Sequence, residues 1–296
     1  MAKLPTNVVL ETGCRGHSVG AVIGPQGALC LDAPVYPSDA EDWLRRLQER
    51  GARAVPYVIQ LDSNLDRSLA VAHLAAVAFS SPSVLIASQA TAESLRSSLG
   101  GFRDSPSLPA LEAHTFASEL GAVPWVRPQL TFSEQLTLYW GEATVDLLCV
   151  PSVTPGASWV HLVKERFLFV GDLVATQMPP YLGEANFEAW LEALSRLRRP
   201  PFRECRLFCA RSGWVGPRDL SRSAAFVRSA QRRHLALAAK KSSDVAKELN
   251  RAAAGLVAGF GVSAERRVFA QARTKLGLQA LWERQHGPLS DRPPIS

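Results

Sequence analysis

The chain opens on short apolar runs separated by glycine-containing turns. In residues 7–34 the tip Pro25-Gln26-Gly27 has the composition of a hairpin turn, and Ala28-Leu29-Cys30-Leu31 returns from it as a buried strand. Ser38 and Asp39 then stand where they can cap a helix running to Gly51, with Trp43, Leu44 and Leu47 on one face. Residues 54–62 (AVPYVIQLD) alternate as a strand whose end carries the polar cluster Asp62-Ser63-Asn64-Leu65-Asp66. The pattern repeats, with a helix over 69–79, a strand over 83–88 and a helix over 90–102 that ends at Gly100-Gly101.

From about residue 128 to 175 the pattern turns to β. The segments are LTFSEQLTLYW, ATVDLLCVPSV, ASWVHLV and FLFVGDLV, broken at Gly141, at Thr154-Pro155-Gly156 and at Lys164-Glu165-Arg166. Residues 185–199 follow as an amphipathic helix, and 205–210 (CRLFCA) as a final strand. From Asp219 the chain is Ala- and Arg-rich and helical, with a break near GLVAGFGVS and a frayed tail over 287–296. No internal repeat is present. An all-β block set among strand–helix units does not fit one doubly wound sheet. It fits an α/β sandwich, helix–sheet–sheet–helix, built from two mixed sheets. Residues 1–217 are expected to form that body and 218–296 a basic helical extension.

Charge adds to this picture. Residues 1–195 hold 12 Lys/Arg and 20 Asp/Glu, a net −8, whereas 196–296 hold 21 and 7, a net +14. A basic third suits an anionic partner such as nucleic acid. Its basic residues are not interleaved with aromatics, so solvated helices that neutralise the acidic body are the preferred reading. No apolar run is long enough to span a membrane, and the first residues lack the pattern of a secretory leader, so a cytoplasmic protein is expected. Cys14, Cys30, Cys149, Cys205 and Cys209 are too scattered for a disulfide framework. Cys205 and Cys209 would share one side of a strand, and buried thiols are the preferred reading. Trp125, Trp140, Trp159, Trp190 and Trp214 are read as core or sheet-packing residues rather than a ligand cage. The glycines of 16–27 lack phosphate-loop spacing and are read as turn residues.

Several fragments, taken in order, resemble the metallo-β-lactamase superfamily. Leu31-Asp32 matches the Leu-Asp pair that ends the opening hairpin of that family. Leu61-Asp62-Ser63-Asn64-Leu65-Asp66-Arg67 stands where the family has Thr-His-x-His-x-Asp-His. Pro151-Ser152-Val153-Thr154-Pro155-Gly156-Ala157 corresponds to Pro-Gly-His-Thr-Pro-Gly-Ser, and Leu168-Phe169-Val170-Gly171-Asp172 to Leu-Phe-x-Gly-Asp. Arg211-Ser212-Gly213 is placed at the family's late Gly-His-Gly. The resemblance covers roughly residues 7 to 217 and implies the sandwich fold and a hydrolase ancestry.

The departures from the family pattern bear on chemistry. At the three histidine positions of the first metal site this chain has Asp62, Asn64 and Val153, and valine has no donor atom. At the second site Asp66 and Asp172 remain, but Arg67 and Ser212 stand in the histidine positions. Zinc is therefore not expected. Asp62, Asp66 and Asp172 brought together would repel, and at least one of their pKa values would rise. The preferred reading is that Arg67 replaces the metal, its guanidinium pairing with the carboxylates, and that the protein is a pseudoenzyme or binding protein for a small molecule or protein. An alternative is a hydrolase using Mg²⁺, Mn²⁺ or Ca²⁺ on Asp62, Asn64, Asp66 and Asp172. A third is metal-free catalysis, with Asp66 as general base and Ser152 or Ser212 nearby; no triad pattern supports it. His17 could approach this face and His161 lies mid-strand, each read as structural or surface. An EF-hand is excluded, because Arg67 occupies its required glycine position and His73 its closing glutamate position.

Overall fold

A computed structural model describes residues 5–15, 17–78, 83–97, 126–174, 176, 178–240 and 242–289. Two six-stranded mixed sheets face each other. The first runs in chain order, β1 (Val8–Glu11), β2 (Val19–Gly24), β3 (Gly27–Leu31), β4 (Tyr57–Ile59), β5 (Val84–Ser88) and β6 (Leu130–Phe132). The second is laid down in reverse spatial order from β7 (Gln135–Trp140) and β8 (Ala143–Cys149) through β9 (Ser158–Leu162) and β10 (Phe167–Phe169) to β11 (Arg206–Cys209) and β12 (Gly213–Val215). β3 to β6 are parallel neighbours, and so are β10 and β11.

Three buried layers follow from the alternation of side chains along these strands. Leu29, Leu31, Ile59 and Ile86 meet Val160, Leu162, Phe167, Phe169 and Phe208 between the sheets. Ala28, Cys30, Val58 and Leu85 point the other way, onto α1 (Pro37–Glu49) and α2 (Leu65–Val77). Trp159, Leu168, Leu207 and Cys209 face outward from the second sheet. They are covered by α4 (Phe187–Arg196), α5 (Pro217–Ala238), α6 (Ser242–Val257) and α7 (Ala264–His286). α3 (Gln89–Ser97) follows β5.

The basic helices pack on the body. Trp190 of α4 meets Phe226 of α5 edge-on at 6.2 Å, and Phe226 meets Phe260, in the α6–α7 connection, at 5.1 Å. α7 approaches the 181–183 loop so closely that a Cβ on Gly277 would lie 2.7 Å from the Leu182 nitrogen.

Several local expectations are corrected. α1 begins two residues earlier than a Ser38 cap implies and three earlier than an Asp39 cap implies, with Tyr36 as N-cap and Pro37 at the first helical position. Ser38 and Asp39 lie inside the first turn and bind Arg15 instead. α2 starts at Leu65, within the polar cluster, rather than at residue 69. The run 130–140 is two strands in different sheets, and β12 follows the strand expected to be the last. The C-terminal helices break twice, after Ala238 as well as near Gly259. Trp214 is 40% exposed, unlike the buried Trp140, Trp159 and Trp190, and Trp125 and Gly100-Gly101 lie outside the described residues.

Because Phe226 joins α4 to the α6–α7 connection, Phe226→Ala is expected to lower unfolding stability by about 3–5 kcal/mol. Urea unfolding checks this; a loss under about 1 kcal/mol would show that the helical layer does not support the body.

Candidate functional site: a buried arginine among carboxylates

Two parallel pairs of strands, β3–β4 in the first sheet and β10–β11 in the second, are followed just beyond their C-terminal ends by residues that build one cluster. Asp32 follows β3 in the left-handed region, φ 59°, a conformation that aspartate tolerates better than most residues. Its amide donates to the Ile59 carbonyl (2.9 Å), and its Oδ1 accepts from the Leu61 amide (3.1 Å). Asp62 and Asn64 lie between β4 and α2; Asp62 Oδ1 accepts the Asn64 amide at 2.9 Å, as suits a carboxylate beside a helix N-terminus. Gln60 steadies this loop by donating to the Asp62 carbonyl (2.9 Å) and to Ser68 Oγ (2.7 Å). Asp172 follows β10 after Gly171, φ 56°.

Arg67, in the first turn of α2, is fully buried among them. Nη1 pairs with Asp32 Oδ2 and lies 3.5 Å from Asp62 Oδ2, while Nη2 pairs with Asp172 Oδ1. Arg211, after β11, places Nε 3.1 and 3.2 Å from the two Asp172 oxygens. Asn64 Nδ2 adds a long contact to Asp172 Oδ2 at 3.5 Å. A cation in the first turn of a helix opposes the helix dipole, so the acids, rather than α2, account for Arg67 being there.

Burial raises the Asp32 pKa, but Arg67, with His17 and the Leu61 amide, outweighs it and holds the group below the ordinary carboxylate value. Asp62 goes the other way. Burial dominates Arg67 there, Asp172 and Asp32 add repulsion, and the pKa is pushed up to about 7. His17 Nε2 lies 3.6 Å from Asp32 Oδ2; burial first, then Arg67, lowers its pKa and keeps it neutral. Among the described side chains, Arg67 and Arg211 thus balance Asp32 and Asp172, and Asp62 carries a proton below about pH 7.

The structure brings together Asp62, Asn64, Arg67 and Asp172. Two partners are missing from the sequence reading, in which Asp32 serves only as a fold landmark and Arg211 only as the neighbour of the expected site residue. Ser212, placed at the late histidine position, instead accepts the Thr176 amide at 3.3 Å, so the residue that reaches the cluster stands one position earlier. Val153 packs in the outer core, and Ser152 Oγ donates to the Val150 carbonyl at 3.3 Å. Asp66 lies in the first turn of α2; its side chain is outside the described residues.

His17 is a buried cluster neighbour rather than a surface residue. His161 Nε2 lies 3.6 Å from Cys205 Sγ, and Cys205 precedes β11 rather than lying within it, whereas Cys209 Sγ donates to the Val174 carbonyl at 2.7 Å. All five cysteines are free thiols.

The Thr154-Pro155-Gly156 corner is held for packing. The Gly156 carbonyl accepts from Ser88 Oγ (2.7 Å) and Thr91 Oγ1 (2.9 Å), and a Cβ there would fall 2.2 Å from the Thr91 nitrogen.

Two mixed sheets with helices outside, and polar loops at one edge, define a metallo-β-lactamase fold, and solved structures of that fold superimpose on the chain. A metallo-β-lactamase family protein from Thermus thermophilus matches over 95% of this chain and 94% of its own, at TM-score 0.62 and 15% identity. The metallo-β-lactamase DIM-1 matches over 77% and 96%, at TM-score 0.58 and 16% identity. The sec-alkyl sulfatase PisA1, as a double mutant, matches over 97% of this chain and 50% of its own, at TM-score 0.65 and 13% identity. No protein-family model and no curated protein sequence matches the chain. The chain has the metallo-β-lactamase fold; at these identities the likeness concerns the fold alone.

The residues present do not fit the metal that the fold brings to mind. Among the described residues no group of three or more His, Cys, Asp or Glu side chains is arranged to hold a metal ion. A guanidinium stands between the carboxylates, and both Asp172 oxygens already accept from arginines.

The Asp62 proton has a measurable consequence. Unfolded, Asp62 ionises near 3.8; folded, near 7, so from this group alone stability falls as pH rises between the two. His17 acts oppositely, its contribution being lost as pH falls below about 6.5, and that of Asp32 is lost only as pH falls through its depressed folded pKa. Asp62→Asn retains an acceptor for the Asn64 amide and removes only the Asp62 contribution. Its stability relative to wild type is expected to improve by up to about 4 kcal/mol between about pH 4 and 7.5, at roughly 1.4 kcal/mol per unit. Urea unfolding across that range checks it, and a flat difference would mean that Asp62 is ionised throughout.

Proposed function

We propose that this chain is a non-catalytic member of the hydrolase-like fold, in which Arg67 takes the place of a metal ion and the protein acts by binding rather than by zinc hydrolysis. The observation that carries this reading is the wholly buried Arg67 guanidinium, paired with acids from both sheets. Such a pair can hold the edge together, but it offers a substrate neither an open coordination position nor an exposed nucleophile. Zinc is not a cofactor on this reading. The same geometry disfavours the oxygen-ligated Mg²⁺, Mn²⁺ or Ca²⁺ site, since Asp172 and Asp62 would have to exchange guanidinium for metal. No described helix is long and apolar enough to cross a membrane. Because α5 to α7 pack their apolar faces on the second sheet, the basic extension serves on this reading as the outer layer of the body.

Two measurements test the proposal. Arg67→Ala strands buried carboxylates and is expected to cost about 3–5 kcal/mol, with Arg67→Lys less damaging because charge survives without the fork. Purified protein offered Zn²⁺, Mg²⁺, Mn²⁺ or Ca²⁺ and then dialysed is expected to retain none by inductively coupled plasma mass spectrometry. Near-stoichiometric metal that disappears in Asp172→Ala or Asp66→Ala would overturn the reading in favour of an oxygen-ligated hydrolase.

A further inference from the structure

The second sheet ends at β12, a three-residue edge strand from which the chain turns through Gly216 into α5. Between this edge, the end of α4 and the short turn Phe202–Glu204 lies a cavity of about 780 Å³. It opens at the N-terminal end of β11, the opposite end from Arg211, and no residue of the Arg67 cluster lines it.

The walls are of two kinds. Leu197, Phe202, Leu207, Val215 and Leu220 supply an apolar floor, and the half-exposed Trp214 forms part of the rim. Arg198, Arg203 and Arg206 supply the charge, and among the described residues no carboxylate lines the cavity. Of the nearby acids, Glu204 sets Oε2 3.3 Å from Arg166 Nη1 and Oε1 at the longer distance of 4.0 Å from Arg203 Nε, and Asp219 accepts the Gly216 amide at 2.9 Å. Arg206 lies over the Trp214 ring, 5.6 Å from its centroid, and Arg198 Nη2 donates to Ser221 Oγ at 3.0 Å, which places both guanidiniums at the rim.

An apolar pocket ringed by permanent cations selects a molecule with one apolar and one anionic end. We propose that this cavity binds a small amphiphilic anion, a carboxylate or phosphate monoester with a medium-length alkyl tail, the tail on Leu207 and Leu220 and the head on Arg203 and Arg206. A nucleic acid strand fits less well, because it needs successive aromatic platforms and the walls offer one exposed ring and aliphatic side chains.

Isothermal titration of the full chain with decanoate and decyl phosphate, below their micellar concentrations, tests the site. Saturable one-to-one binding is expected, with decanol at least about tenfold weaker, since it forgoes charge-assisted hydrogen bonds. Arg203→Ser and Arg206→Ser should each weaken binding about tenfold without moving the unfolding midpoint. Ser221→Trp, on the exposed face of α5, should abolish binding by filling the mouth while the protein stays folded. Absence of saturable binding, equal affinity for decanol, or indifference to the arginine or Ser221 variants would overturn the proposal. So would arginine-dependent binding of phosphatidylglycerol vesicles or oligothymidylate without binding of decanoate. None of these variants touches Arg67, so the outcome is independent of the reading of that cluster.

Discussion

A guanidinium surrounded by carboxylates at the open edge of the sandwich is the constraint on which this structure turns. Asp32 comes from the end of β3 in the first sheet and Asp172 from the end of β10 in the second, and Arg67 reaches both from α2. Unit charges about 4 Å apart interact by roughly 4 kcal/mol at the effective dielectric near 20 that suits protein sites. Removing such groups from water costs several kcal/mol each. The cluster therefore does not explain why the protein is stable. It explains why, once acids are placed at those strand ends, a cation must accompany them and the two sheets meet there in one register.

The layers around the cluster rest on simpler physics. β3 presents Leu29 and Leu31 to the opposite sheet and Ala28 and Cys30 to α1 and α2, so one continuous apolar run serves two cores. The outer face of the second sheet is apolar along β9 to β11, where Trp159, Leu168 and Leu207 would be exposed without helices over them, and polar along β7 and β8, where it carries Thr137, Tyr139 and Asp146. That requirement, rather than their charge, accounts for the place of α5 and α7. Most of their arginines lie on the faces turned to solvent, whereas Arg273 is buried.

Much of this was legible in the sequence, and the gaps have identifiable causes. Alternation and turn composition located β2, β3, β5 and β8 to β11, because each is a local pattern bounded by glycine or proline. The split between β6 and β7 was not visible: Thr131 to Trp140 contains no breaker, and only tertiary pairing sends Leu130 to Ile86 and Leu136 to Leu147. Ser38 and Asp39 had the chemistry of caps, but Pro37 fixes the backbone ahead of them and Arg15, 23 residues away, binds Ser38. At the site, Arg67 stood out as a charged residue in a ligand position. Asp32 did not, because nothing local to Leu31-Asp32 reveals a partner 35 positions later. Arg211 was missed by one position. Past the end of a strand neighbouring side chains point in different directions, so that error exchanges a residue facing the cluster for one facing Thr176.

Charge matching gives the cluster an internal logic. A divalent ion would bring two positive charges to a ring of acids. Here Arg67 brings one, and the proton held by Asp62 up to about pH 7 is equivalent to a second. Arg211 then answers Asp172 from the solvent side, where its side chain is 14% exposed. Each substitution is coherent only with the others. A neutral residue at position 67 would leave Asp32 without its guanidinium and Asp172 with Arg211 as its described cation, and a fully ionised Asp62 would give the described side chains of the cluster more acid than base. The Thr154-Pro155-Gly156 corner is constrained because Gly156 must approach Thr91 without a Cβ, whereas Val153 beside it joins the apolar core. On the proposed reading, Arg67 with Asp32 and Asp172 occupies the edge where a metal ion would otherwise be held.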